Sequence, residues 1–111
     1  MLLKQNTLTT YCYWQYVLGV RLPQKVFWSK KIAKTLAVVP DYIRDKFVSW
    51  VFVVENLGIA EARKCSGFHD EPLKGRRAGQ RSIRLNNAYR AIYVERDSEC
   101  VEVIKVSKHE Y

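Results

Sequence analysis

The sequence predicts a two-layer α+β domain: an N-terminal helical hairpin packed on a small, mostly antiparallel sheet. Three observations lead there. Apolar residues recur at helical spacing in two consecutive segments between Trp28 and Gly58. Three segments of strand character follow, at 80–85, 88–95 and 100–107. Their connections, Asn86-Asn87 and Arg96-Asp97-Ser98, are short and tolerate positive φ, which predicts two tight antiparallel hairpins. A helical hairpin on one face of such a sheet buries both apolar surfaces. With 111 residues, 48% of them apolar, the chain can build one core and one domain.

The first 23 residues stand apart. Tyr11 to Val20 is apolar and aromatic, and Lys4 precedes it. That outline resembles a secretory signal, but the aromatics, Gln15 and the lack of a small-x-small cleavage site argue against one. Residues 1–23 are read as an N-terminal extension: an extra strand, a partner-binding segment or an over-long start. Pro23 marks a boundary, and residues 24–111 form the main domain.

Residues 25–28 read as a first strand. Ser29 is placed to N-cap a helix carrying Ile32, Ala33, Leu36 and Val39 inward and Lys30, Lys31 and Lys34 outward. Pro40-Asp41 ends that helix and opens the next. There Ile43, Phe47, Trp50, Val51, Val54 and Leu57 recur at helical spacing, Phe52 and Val53 widen the stripe, and Gly58 is placed as a left-handed cap. These aromatics read as core. A helical turn is expected over 61–65. His69, Asp70 and Glu71 read as a solvated loop, because consecutive side chains converge poorly on one metal ion.

Charge narrows the function. The net charge is +8. That excess favours nucleic acid, an anionic membrane or an acidic partner, and no apolar run is long enough to span a bilayer. Cys12, Cys65 and Cys100 are widely spaced with no CxxC pair. Neither a disulfide framework nor a zinc site is expected, and a reducing cytoplasm is. Between Leu73 and Tyr93 lie Lys74, Arg76, Arg77, Arg81, Arg84 and Arg90, and no carboxylate. Cations inside strands point to a polyanion. Alternation puts Ile83 opposite Arg84 and Ala91 opposite Arg90, so if the apolar pair faces the helices the two arginines emerge together. The side to which Lys105 belongs stays open at this point.

Arginines can hold a phosphate and offset charge in its transition state, and a His or Tyr can move protons. RNA offers a reaction suited to that set, with no metal and no bound cofactor: its own 2′-hydroxyl attacks the adjacent phosphate in line. His109 and Tyr111, at the chain end, complete the residue types required.

The segments Pro72-Leu73-Lys74-Gly75, Gly79-Gln80-Arg81-Ser82-Ile83-Arg84, Tyr89-Arg90-Ala91-Ile92-Tyr93 and Lys108-His109-Glu110-Tyr111 resemble the RelE/ParE toxin superfamily of bacterial toxin–antitoxin modules, nearest its RelE and HigB-like members. Each motif is short; their order, spacing and place carry the resemblance, which covers 25–111 and leaves residues 1–23 without a counterpart. It implies a RelE-like fold and a small cytoplasmic toxin that enters the ribosomal A site and cuts messenger RNA. It also implies a cognate antitoxin, for which a helix-turn-helix protein is one form. By position it implies that Arg84 contacts phosphate, Arg90 serves the transition state, and Lys74 touches RNA or ribosome. His109 and Tyr111 match proton-transfer positions, with base and acid unassigned. Arg76, Arg77, Arg81, Lys105 and Lys108 extend the expected RNA- or ribosome-binding surface. The chain departs from the RelE pattern at Ser82, where a second basic residue is usual; Lys105 and Lys108 are the candidates to compensate. Two other readings share the charge and core: a ParE-like inhibitor of DNA gyrase without nuclease chemistry, and a non-catalytic RNA- or ribosome-binding module. The His-x-Tyr ending and the strand arginines favour the nuclease.

Overall fold

The computed structural model describes residues 24–108. Strand β1 (Lys25–Trp28) leads into helix α1 (Lys30–Val38). Ser29 caps α1 as expected, its Oγ accepting the Ile32 N–H at 3.2 Å. Helix α2 (Asp41–Leu57) follows Pro40, and a short α3 (Ile59–Lys64) follows Gly58. Then come β2 (Glu71–Pro72), a 3-10 turn (Gly75–Arg77), β3 (Arg81–Arg84), β4 (Tyr89–Asp97) and β5 (Cys100–Lys108).

The five strands form one mixed sheet in the order β1-β5-β4-β3-β2. β1 runs parallel to β5, and every other pairing is antiparallel. The two C-terminal hairpins are those the turn residues predict, although the first is closed by the longer stretch 85–88. Asn86 holds it: its Oδ1 accepts the N–H groups of Ala88 at 2.7 Å and Tyr89 at 2.6 Å, so the side chain substitutes for a backbone turn. β2 was not expected. Two exposed residues, one of them a proline with no N–H to donate, form an edge strand that leaves little periodic signal.

The helices cover one face of the sheet. Trp50 of α2 sits between Phe47 and Tyr93, with ring centroids 6.1 and 5.1 Å away, and Ile43, Val54, Ile83, Ala91, Val101 and Val103 close around them. Arg44 ties the α1–α2 elbow by donating from Nε to the Leu36 carbonyl at 2.8 Å and from Nη2 to that of Ala37 at 3.1 Å. These bonds satisfy carbonyls at the end of α1 that the helix itself leaves unpaired.

Two expectations for α2 need correction. Phe52 and Leu57 do not join the buried stripe; they are 66% and 65% exposed. At 100° per residue Phe52 lies roughly 200° from Trp50, on the far side of the helix. Gly58 has φ 91° and ψ 159°, a positive-φ conformation outside the left-handed helical region. The turn it makes allows α3 to begin at the next residue, where the Gln24 carboxamide oxygen accepts the Ile59 N–H. Among the described residues no helix is long and apolar enough to cross a membrane.

Candidate functional site

Strand register decides what shares a face. Arg84 of β3 stands directly opposite Arg90 of β4, and Arg90 opposite Ser107 of β5. Beside this row runs a second: Glu71 of β2, Ser82 of β3, Ile92 of β4 and Lys105 of β5. Cross-strand partners point the same way, so both rows lie on one face. That face is turned away from the helices, because the neighbouring residues Ile83, Ala91 and Val106 are in the core. Lys105 joins the arginines because of a β-bulge. The β4–β5 register shifts between Ile92 and Tyr93, and Ile104 has no opposite number.

The electrostatics of the face are unbalanced. Arg90 Nη1 donates to Glu71 Oε1 at 3.4 Å. Among the described residues, Arg84 Nε and Ser82 Oγ are both buried without a hydrogen-bond partner. A buried donor left unmade costs stability, so each such group calls for a partner, whether water, ion or ligand. Lys105 is exposed on the same face. Lys74, Arg76 and Arg77 lie on the mostly exposed segment between β2 and β3, where Arg77 also donates to Gln80 Oε1 at 2.9 Å.

Solved structures share this architecture. The archaeal RelE–RelB complex from Pyrococcus horikoshii OT3 matches with a TM-score of 0.60 and 22% identity, over 78% of this chain and 96% of that one. The YoeB–YefM complex from Staphylococcus aureus matches with a TM-score of 0.60 and 19% identity, over 83% and 100%. The RelBE2 toxin–antitoxin complex from Mycobacterium tuberculosis matches with a TM-score of 0.56 and 21% identity, over 80% and 100%. This chain has the RelE-type toxin fold. No family model matches the sequence, and no curated protein matches it.

Within this RelE-type fold, two expected site residues fall elsewhere. Arg81 shares the helix-facing side with Ile83 and stands opposite Tyr93. Its Nε donates to Asp70 Oδ1 at 2.5 Å, and the Asp70 side chain is fully buried. Tyr93 donates its hydroxyl to the other Asp70 oxygen, and Arg63 Nε donates to that hydroxyl at 3.4 Å. Arg81 therefore has a structural partner, and Asp70 is not the solvated loop residue expected. Lys108 stands opposite Tyr89, which packs on the core, so it too lies off the arginine face. His109 and Tyr111 lie outside the described residues, as does the extension 1–23.

Glu71 is the residue the sequence reading missed for this face. Nothing in its local pattern distinguishes it from His69 or Asp70; the pairing of β2 with β3 brings it to the arginines. Among the described residues no group of His, Cys, Asp and Glu is arranged to hold a metal. A concave feature lies elsewhere: an apolar groove of about 630 Å³ between α1 and α2, lined by Trp28, Leu36, Phe47 and Val51. Its one cation, Arg44, is engaged by Asp41 and by the carbonyls at the end of α1, so we place the candidate site on the sheet.

Proposed function

We propose that this chain is the toxin of a type II toxin–antitoxin pair and acts as an endoribonuclease on messenger RNA at the ribosome. The observation that carries this reading is the direct cross-strand register of Arg84 and Arg90, with Glu71 in contact with Arg90 and Lys105 on the same face. The RelE-type fold and its occurrence in toxin–antitoxin complexes add support.

In this reading the two guanidinium groups hold the non-bridging oxygens of a phosphodiester and offset the charge that builds as the 2′-hydroxyl attacks. Glu71, displaced from Arg90 by the phosphate, is within reach to accept the 2′-hydroxyl proton. The attack forms a 2′,3′-cyclic phosphate and expels the 5′-oxygen, which takes a proton from His109 or Tyr111. Lys74 and Arg76, on the exposed loop, supply non-specific contacts to RNA or ribosome. The domain 24–111 carries the activity in the cytoplasm, residues 1–23 are an extension to it, and an adjacent-encoded antitoxin silences it.

Inducible expression with mapping of cellular mRNA 5′ ends tests the reading. The parent should give in-frame cuts within translated regions. Arg90→Ala should lower cleavage by at least about 100-fold with an unchanged melting temperature. DNA breaks and an SOS response preceding translational arrest would overturn it in favour of gyrase poisoning.

A further inference from the structure

The Arg90–Glu71 ion pair crosses a strand. Arg90 lies on β4 and Glu71 on β2, and β3 runs between them. Arg90 stands opposite Arg84, and Glu71 opposite Ser82. The line joining the pair therefore passes over β3 between Ser82 and Arg84. Those two residues hold the buried, unpartnered donors of this face, Ser82 Oγ and Arg84 Nε, and Ser82 is only 2% exposed. Two such donors, spaced i and i+2 on one side of a strand, point to an absent acceptor. A neutral oxygen could accept from one or both but would leave the Arg84 charge unopposed. A tetrahedral oxyanion presents several oxygens and satisfies both.

We infer that Ser82 Oγ and Arg84 Nε form a phosphate seat, covered in the unliganded protein by the Arg90–Glu71 pair. The pair is a latch. An entering phosphate competes with the Glu71 carboxylate for Arg90, draws Arg90 off β2, and uncovers the two donors. Ser82, which departs from the usual basic residue of the RelE pattern, thereby becomes a phosphate-binding residue in its own right. This rests on the nuclease reading for its RNA substrate, but the seat itself needs only a phosphate.

The test uses two probes on the full chain: inorganic phosphate, and a 2′-O-methyl oligoribonucleotide that cannot be cut. Affinity is read by calorimetry, and the Arg84 Nε–H resonance by NMR. Phosphate should shift that resonance in the parent. Ser82→Ala should bind both probes about tenfold more weakly, while Ser82→Thr, which keeps the hydroxyl, stays within about twofold. Glu71→Gln should bind phosphate about threefold more tightly, because the competing charge is gone. Equal affinity for Ser82→Ala and parent, with an unmoved Arg84 Nε–H signal, overturns the seat even if RNA is cut. Ser82-dependent phosphate binding without RNA cleavage upholds the seat and defeats the nuclease reading.

Discussion

Arg81 and Arg84 stand three residues apart on one strand and face opposite ways. Arg81 points to the helices and is paired with a fully buried carboxylate, Asp70, which also takes the hydroxyl of Tyr93. Arg84 points away from the helices, and its Nε has no partner among the described residues. The same residue type in the same strand thus has two uses. On one side its charge is cancelled and locked into the core. On the other no such pairing of its Nε is seen among the described residues. The rule this teaches is that a cation counts toward a binding site only after its face and partner are known.

The comparison can be broken hardest at Arg81. Arg81→Ala strands the Asp70 carboxylate in the interior, and urea unfolding should show a loss of about 3 kcal/mol. The matching change at Arg84 should leave stability within about 1 kcal/mol, since no bond to its Nε is lost. Equal stability losses would erase the distinction between the two faces.

A smaller effect is expected at Tyr93. Tyr93→Phe removes one hydrogen bond to Asp70 and should cost about 1–2 kcal/mol. Burial, and then the bond to Asp70, push the Tyr93 hydroxyl well above its ordinary value of 10.0. The folded state therefore holds a proton that the unfolded chain releases above that value. The stabilisation is complete below pH 10.0 and declines as pH rises beyond it. Urea midpoints measured between about pH 9 and 11 should fall more steeply for the parent than for Tyr93→Phe.

The smallest effect separates the two lysines of β5. Lys105→Ala should weaken RNA binding about threefold to tenfold and lower the slope of log affinity against log salt by about one. Lys108→Ala, on the other side of the sheet, should change both much less. Equal effects from the two would show that RNA wraps the sheet edge and does not lie on one face.

Much of the fold was legible because it rests on local patterns. Ser29 ahead of a periodic stretch, the i, i+4, i+7 run from Ile43 to Trp50 and Val54, and the Asn86 turn each act within a few residues. Alternation alone suggested that Arg84 and Arg90 share a side. What could not be read depends on contacts between distant segments. Asp70 looked solvated until β3 and β4 brought Arg81 and Tyr93 to it. Glu71 looked like one more loop acid until β2 paired with β3. Phe52 looked like core because its neighbours are apolar, whereas only the docking of α2 chooses which side is covered.

By itself the sequence determined the α+β class, the excess of positive charge, the helix boundaries at Ser29 and Pro40, and the strands that carry the arginines. These follow from propensity, periodicity and composition, which are properties of short stretches. Only the tertiary structure decided that Lys105 joins the arginines, through a bulge at Ile104, that Arg81 does not, and that Glu71 reaches Arg90 across a strand. The physical reason is that the sides of a strand exchange with each one-residue slip in register. Register is settled by pairing between segments that no single stretch of chain contains.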